Sequence, residues 1–403
     1  MKIDSSPPPA LPPIPFNRPF FVGKELHYIA QAVALGNIAG DGEFTERCAS
    51  ILQKSFAIPK VLMTPSCTAS LEMAAMLCQL EPGDEVILPS FTFVSTAAAF
   101  VREGAKPVFV DIRPDTLNLD ESQIESAITP RTKVICPVHY AGVGCEMDAI
   151  TDIAKRHNLL VVEDAAQGVN SWYRGRGLGS IGHIGCYSFH ETKNFICGEG
   201  GALCLNDPLL IERAEVLRDK GTNRRRFFRG QVDKYTWIDV GSSYVPSEIA
   251  SAFLCAQLEQ MDSITRQRQT LMARYRQELQ SLANQGAFEL PYTPSHCQNN
   301  AHMFYLLLPS QGVREEFIAF LKVRGITSVF HYVPLHNSPM GLEVGRAQGT
   351  LPVTDSISSR LVRLPMYYDL STSDQDRVLT AIHDFVTRPS AADKSKAEAA
   401  NAI

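Results

Sequence analysis

The chain has 403 residues, 45% of them hydrophobic and 20% charged, with a formal net charge of -5. That length and composition suit a soluble globular protein of two domains, or one large domain with an appendage. The weak acidity gives no general attraction to nucleic acid or to an anionic membrane surface. No apolar run reaches the roughly 18 residues of a membrane span, no early stretch reads as a secretory signal, and the chain reads as cytoplasmic. The ten cysteines are scattered singly, several within apolar runs, which is the pattern of buried free thiols in a reducing compartment.

Residues 1–15 form a proline-rich lead, read as an extended arm. From there to residue 205, short apolar runs alternate with helical patterns. Candidate strands fall at 85–89, 107–112, 133–138, 159–163, 184–188 and 202–205, and candidate helices at 68–80, 94–103, 121–128 and 147–157. Nearly continuous apolar strands separated by helices predict an α/β fold with a mostly parallel sheet flanked by helices. In such folds ligands sit at the carboxyl ends of the strands. A long helical pattern covers 246–282. The texture then changes to a strand at 301–308, a helix at 313–324, a strand at 327–332 and a helix at 373–387, a smaller C-terminal α+β domain. The expected division is an arm (1–15), a large domain (16–284), a small domain (285–388) and a tail (389–403).

The chemistry concentrates in two segments. One is Ser188-Phe-His-Glu-Thr-Lys193-Asn194, followed by Gly198-Glu-Gly-Gly201; the other, upstream, is Leu159-Leu-Val-Val-Glu-Asp164-Ala-Ala-Gln167. A lysine paired in order with an acid at the end of a buried strand matches the two groups that pyridoxal 5'-phosphate needs. These are an amine to hold its aldehyde and a carboxylate to keep its ring nitrogen protonated. Lys193 is the expected covalent anchor and proton carrier, and Asp164 the partner of the ring nitrogen. Glu163 should point to the opposite face of its strand.

Other candidates are less specific. Ser66-Cys67-Thr68 precedes a helix, so the amides of Cys67 and Thr68 can cradle a phosphate; simple capping by Ser66 or Thr68 is the equal alternative. Ser188 could add a hydroxyl to the phosphate, Phe93 could stack on the ring and Gln167 could reach the cofactor's phenolic oxygen or its ring face. Among substrate contacts, His331 and Tyr332 end an expected strand that should close over the sheet rim. Lys220 precedes the basic cluster Arg224-Arg-Arg226 with Arg229, which is a solvated loop or a diphosphate or partner-subunit contact. No histidine spacing fits a metal site, and none is expected.

Glu163-Asp-Ala-Ala-Gln167, the Ser188–Asn194 run, Gly198-Glu-Gly-Gly-Ala202 and Pro89-Ser-Phe-Thr-Phe93 together resemble the DegT/DnrJ/EryC1/StrS sugar-nucleotide aminotransferases. These are fold-type I pyridoxal phosphate enzymes, and the likeness runs from about residue 14 to 387. Asp233-Lys-Tyr-Thr-Trp237, Val240-Gly-Ser-Ser-Tyr244 and His331-Tyr-Val-Pro-Leu-His336 resemble most the dTDP-4-amino-4,6-dideoxygalactose transaminases. The resemblance implies amino transfer from L-glutamate to C4 of dTDP-4-keto-6-deoxy-D-glucose for surface polysaccharide. It also implies a homodimer with shared active sites. Ser243 stands where many relatives place an asparagine that reaches the partner's cofactor phosphate; a serine can still donate, with shorter reach. Cys67 stands where glycine is common. A 3-keto-sugar transaminase and a sugar dehydratase are the alternatives, the latter disfavoured because dehydratase relatives replace the lysine with histidine. A non-catalytic sensor would lack the lysine or carry a DNA-binding module.

Overall fold

The computed structural model describes residues 12–388. The expected tail (389–403) and most of the expected arm (1–11) lie outside the described residues. An eight-stranded sheet forms the centre, in spatial order Lys60–Thr64, Gly201–Leu205, Ile184–Ser188, Leu160–Asp164, Thr132–Ile135, Glu85–Pro89, Lys106–Val110 and Arg346–Ala347. All neighbours are parallel except at Gly201–Leu205, which runs antiparallel to both of its partners.

Both faces of this sheet are covered, which is why its strands lack polar alternation. Val86, Leu88 and Val162 pack on one side with the helix Cys67–Leu77. Ile87 and Val161 pack on the other with the helices Glu121–Ala127 and Met147–His157. The N-terminal helices Glu25–Ala34 and Glu43–Phe56 join Glu248–Glu259 in a further apolar layer against the Lys60–Thr64 edge.

The C-terminal region is α+β, with a two-stranded sheet of Tyr305–Leu307 and Leu361–Arg363 under the helices Gln311–Val323 and Thr372–Thr387. Three sequence expectations change here. The long pattern at 246–282 breaks at Gln260 into Glu248–Glu259 and Met261–Asn284. The strand expected at 301–308 shrinks to three residues, and the one at 327–332 is absent except for a single bridge from Val329 to Arg363. Tyr332 ends that segment with a φ of 46°, a left-handed turn no strand can contain. Met261 and Ile264 of the long helix pack with the large sheet's layers, whereas Leu271, Tyr275, Leu279 and Leu282 pack in the C-terminal core. We propose the domain division at 284/285, in the loop that follows this helix.

Candidate active site

Strand alternation sends Glu163 and Asp164 to opposite faces, as their sequence positions require. Glu163 is fully buried and accepts from the amides of Gly179 (2.8 Å), Ile181 (2.7 Å) and Gly182 (2.6 Å), with Nε2 of His139 2.9 Å away. Asp164 instead faces a cavity of about 470 Å³ at the carboxyl rim of the sheet. Its Oδ2 accepts from Thr96 Oγ1 at 2.6 Å and its Oδ1 from the Ala166 amide at 3.1 Å. Two aimed donors fix the carboxylate plane and leave lone pairs for a ligand's N–H.

Lys193 enters the same cavity from the loop between the antiparallel strands Ile184–Ser188 and Gly201–Leu205. The loop is closed by backbone bonds from Glu191 to Gly198 and from Cys197 to Phe189, both 2.9 Å. Asn194 ties it to the C-terminal region, donating to the Asn300 carbonyl (2.8 Å) and accepting from Nδ1 of His302 (2.9 Å). Lys193 retains partial exposure, yet its amine is enclosed enough that burial, with a smaller push from Arg363, lowers its pKa; Cys67 and Asp164 oppose the shift. A lowered pKa raises the share of neutral, nucleophilic amine.

Ser66 caps the helix Cys67–Leu77 by accepting from the Ala69 amide at 3.1 Å. The capping alternative is therefore realised, and it is compatible with the cradle, because the amides of Cys67 and Thr68 are not used by the cap. Thr68 Oγ1 donates to Ser95 Oγ at 3.0 Å. Behind this turn a Cβ on Gly201 would lie 2.4 Å from the Ser66 carbonyl and 2.6 Å from the Cys67 nitrogen, so only glycine lets the strand seat the turn. Cys67, Thr68, Phe93, Asp164, Gln167, Ser188, Lys193, His331 and Tyr332 all line the one cavity.

Gln167 accepts from the Ala141 amide (2.6 Å) and donates to the Tyr332 hydroxyl (2.9 Å). His331 Nδ1 pairs with the Tyr140 hydroxyl at 2.8 Å, and its ring stacks on Tyr332 at 3.6 Å. Burial lowers the pKa of both His331 and His302. Lys220 and Ser243 do not reach this cavity in their own chain. They are neighbours on an exposed segment, joined by the bridge of Asp219 to Ser243 and the bond from the Lys220 amide to the Ser242 carbonyl (3.0 Å). The arginine cluster is consumed by ion pairs: Arg225 with Asp41, Arg226 with Glu212 and Arg229 with Glu215. Among the described residues no group of three metal-ligating side chains occurs.

Sequence reasoning missed Thr96, His302, Arg363 and Phe16, which also line the cavity. Thr96 was within reach of a local argument, since it lies one helical turn beyond Phe93 at the start of Val94–Arg102. His302, Arg363 and Phe16 come from distant parts of the chain, and no local pattern marks them.

Residues 22–383 match the model of the DegT/DnrJ/EryC1/StrS aminotransferase family. The chain belongs to this family. It is 36% identical over 318 residues to a Geobacillus stearothermophilus protein described as a pleiotropic regulatory protein, covering 78% of this chain and 82% of that one. Among solved structures, S. venezuelae DesV is similar with a TM-score of 0.84 and 31% identity, covering 94% of this chain and 100% of that one. A putative sugar aminotransferase of Streptococcus pneumoniae, Spr1654, solved in its PLP form, is similar with a TM-score of 0.85 and 25% identity, covering 93% and 98%. This aminotransferase is a pyridoxal phosphate-dependent enzyme.

The donor set fits that cofactor. The helix amides of Cys67 and Thr68, with the hydroxyls of Thr68 and Ser188, would hold the phosphate at a helix N-terminus, Asp164 the ring nitrogen and Lys193 the aldehyde carbon. When bound, the cofactor supplies an electron sink for breaking a bond to the amine-bearing carbon. Lys193 Nζ would be placed to take a proton from the substrate carbon and return it elsewhere. Asp164, held by Thr96 and Ala166, keeps its carboxylate oxygens at a fixed point facing the site.

Proposed function

We propose that this aminotransferase moves an amino group from L-glutamate to C4 of dTDP-4-keto-6-deoxy-D-glucose, giving dTDP-4-amino-4,6-dideoxy-D-galactose and 2-oxoglutarate. The product would supply surface polysaccharide from the cytoplasm. The observation that carries the transaminase part is the meeting of Lys193 and Asp164 in one cavity with a helix N-terminus. The sugar rests on the resemblance of the segments at 233–244 and 331–336. Lys193 disfavours the dehydratase, and a 3-keto sugar is the remaining alternative.

In this reading the enzyme is a homodimer, and the exposed segment bearing Lys220 and Ser243 faces the partner's cavity. Tyr235, Trp237, Ile238 and Val240 near that segment are exposed apolar residues, which support a protein contact there. The cycle has two halves: glutamate leaves its amine in the site and departs as 2-oxoglutarate, and the keto sugar then takes that amine up.

The test is the absorption spectrum of the purified holoenzyme before and after L-glutamate, followed by adding the keto sugar and assigning the product by NMR. A visible band that glutamate bleaches, and a product aminated at C4, are expected. A band indifferent to glutamate rejects the donor; an amine at C3 rejects the regiochemistry.

A further inference from the structure

Asn194 follows Lys193 in the chain and is buried, yet it does not line the cavity. Both ends of its amide are engaged. Nδ2 donates to the Asn300 carbonyl at 2.8 Å, and Oδ1 lies 2.9 Å from Nδ1 of His302. Because Nδ2 faces a carbonyl, Oδ1 is the end that meets the histidine, so Nδ1 carries the ring proton. Burial lowers the His302 pKa, and a neutral ring keeps this donor.

The partners of Asn194 are themselves fixed. Asn300 donates from Nδ2 to the carbonyls of Gln167 (2.9 Å) and Val169 (2.7 Å), and its backbone amide donates to Ser171 Oγ at 3.0 Å. Arg268 holds the segment from the other side, donating to the carbonyls of Ala301 (3.0 Å) and His302 (2.7 Å). Asn300 is therefore bonded both to the neighbour of Lys193 and to the turn that follows Asp164. A second polar tether of the Lys193 loop, from Asn17 Nδ2 to the Glu191 carbonyl at 3.0 Å, is exposed, where water competes for both groups. Phe195 and Ile196 pack the loop into the apolar layer behind it, a contact without direction of its own.

We propose that Asn194 is a positioning residue for Lys193: braced by Asn300 and His302, it sets the direction from which the amine reaches the cofactor beside Asp164. This rests on the transaminase reading above. A lysine carries its amine on a flexible four-carbon stem, so the aim of that stem depends on how firmly its backbone is held. The bonds that close the loop, Glu191 to Gly198 and Cys197 to Phe189, join residues of the loop to each other. The place of the loop relative to Asp164 is left to contacts made outside it. Asn194 makes two of these, one residue from the backbone that bears the amine. A small displacement of a reacting group costs rate far more than it costs binding.

The experiment titrates wild-type and Asn194→Ala apoenzymes with pyridoxal phosphate and with pyridoxamine phosphate, which offers the same ring and phosphate but no aldehyde for Lys193. If Asn194 aims the lysine, the aldehyde form should bind about tenfold more weakly in the variant, while the amine form stays within about twofold. The second readout is the rate at which L-glutamate bleaches the visible band of the reloaded enzymes. That rate should fall on the order of 10²-fold, with the glutamate concentration for half-maximal rate held within about threefold. Asn194→Ser, polar but too short to span both partners, should show the same split, and it carries the comparison if the alanine variant does not fold. Equal weakening of both cofactor forms overturns the proposal, because it marks a general loosening of the cavity. Unchanged affinity for both forms overturns it too. If the wild-type band ignores glutamate, the donor reading above fails, and the two cofactor titrations still decide Asn194.

Discussion

Glu163→Gln is the most informative stability test, because its cost can be worked from the geometry. The carboxylate meets four groups: Oε1 accepts the amides of Ile181 and Gly182, and Oε2 accepts Gly179 and faces His139 Nε2. His139 Nδ1 already accepts from the Cys145 amide at 3.2 Å, so its proton belongs on Nε2. All four neighbours are therefore donors. A glutamine presents one acceptor and one NH₂, and either orientation turns the NH₂ toward two donors in a site with no water access. Two stranded donors at roughly 1–3 kcal/mol each, plus weaker bonds at the remaining oxygen, give about 3–5 kcal/mol. Urea denaturation of the holoenzyme followed by circular dichroism measures it. Glu259→Gln is the control, because that carboxylate is partly exposed and pairs with Lys24 and Arg47; its loss should cost under about 1 kcal/mol. The cofactor should also bind more weakly in Glu163→Gln, since Asp164 is the next residue on the same backbone. A Glu163→Gln enzyme as stable as the Glu259→Gln control would refute the donor count.

Lys193→Ala should abolish the visible cofactor band and turnover together; activity that survives would remove the lysine from the chemistry. Asp164→Asn should keep the cofactor attached but lose on the order of 10²–10⁴ in turnover, checked by steady-state rates beside the absorption spectrum. Gly201→Ala should push the Ser66–Cys67 peptide aside and weaken cofactor binding by about tenfold or more, read by titration of the apoenzyme with pyridoxal phosphate. Burial holds the His302 and His331 pKa values below the usual one, so below about pH 6.5 the unfolded chain takes up protons that the native sites refuse. Stability should be full above that pH and fall beneath it, by up to about 1.4 kcal/mol per pH unit per histidine. His302→Gln should flatten the fall, measured by urea midpoints at pH 7.5 and 5.5.

Six of the eight strands of the central sheet were legible because they are largely buried on both faces and bounded by loops. The edge strands Lys60–Thr64 and Arg346–Ala347, the latter only half-buried, were not among the candidate strands. Glu85–Pro89 and Ile184–Ser188 appear in the structure with the bounds read from sequence. The 327–332 segment misled: its apolar residues suit a strand, yet Tyr332 turns left-handed, and His331 and Tyr332 pack on Tyr140 and each other. They still arrive in the cavity. Lys220 and Ser243 carried chemistry in the sequence, but their own chain turns them to the surface.

The sequence by itself determined what local chemistry can encode: a strand ending in Asp164, a glycine-bounded loop offering Lys193, and a helix start at Ser66 free to hold an anion. Each of these depends on neighbours in the chain, through alternation, turn geometry and capping. Tertiary structure alone decided which distant groups share that rim. Among the described residues Arg363 has no carboxylate partner because the fold places none beside it. Thr96 meets Asp164 because Glu85–Pro89 and Leu160–Asp164 run parallel, with Thr132–Ile135 between them, and end at the same rim. Glu163 finds its donors only when the 179–182 turn docks beneath the sheet. Such contacts depend on packing across tens or hundreds of residues, and no periodicity in the sequence records them.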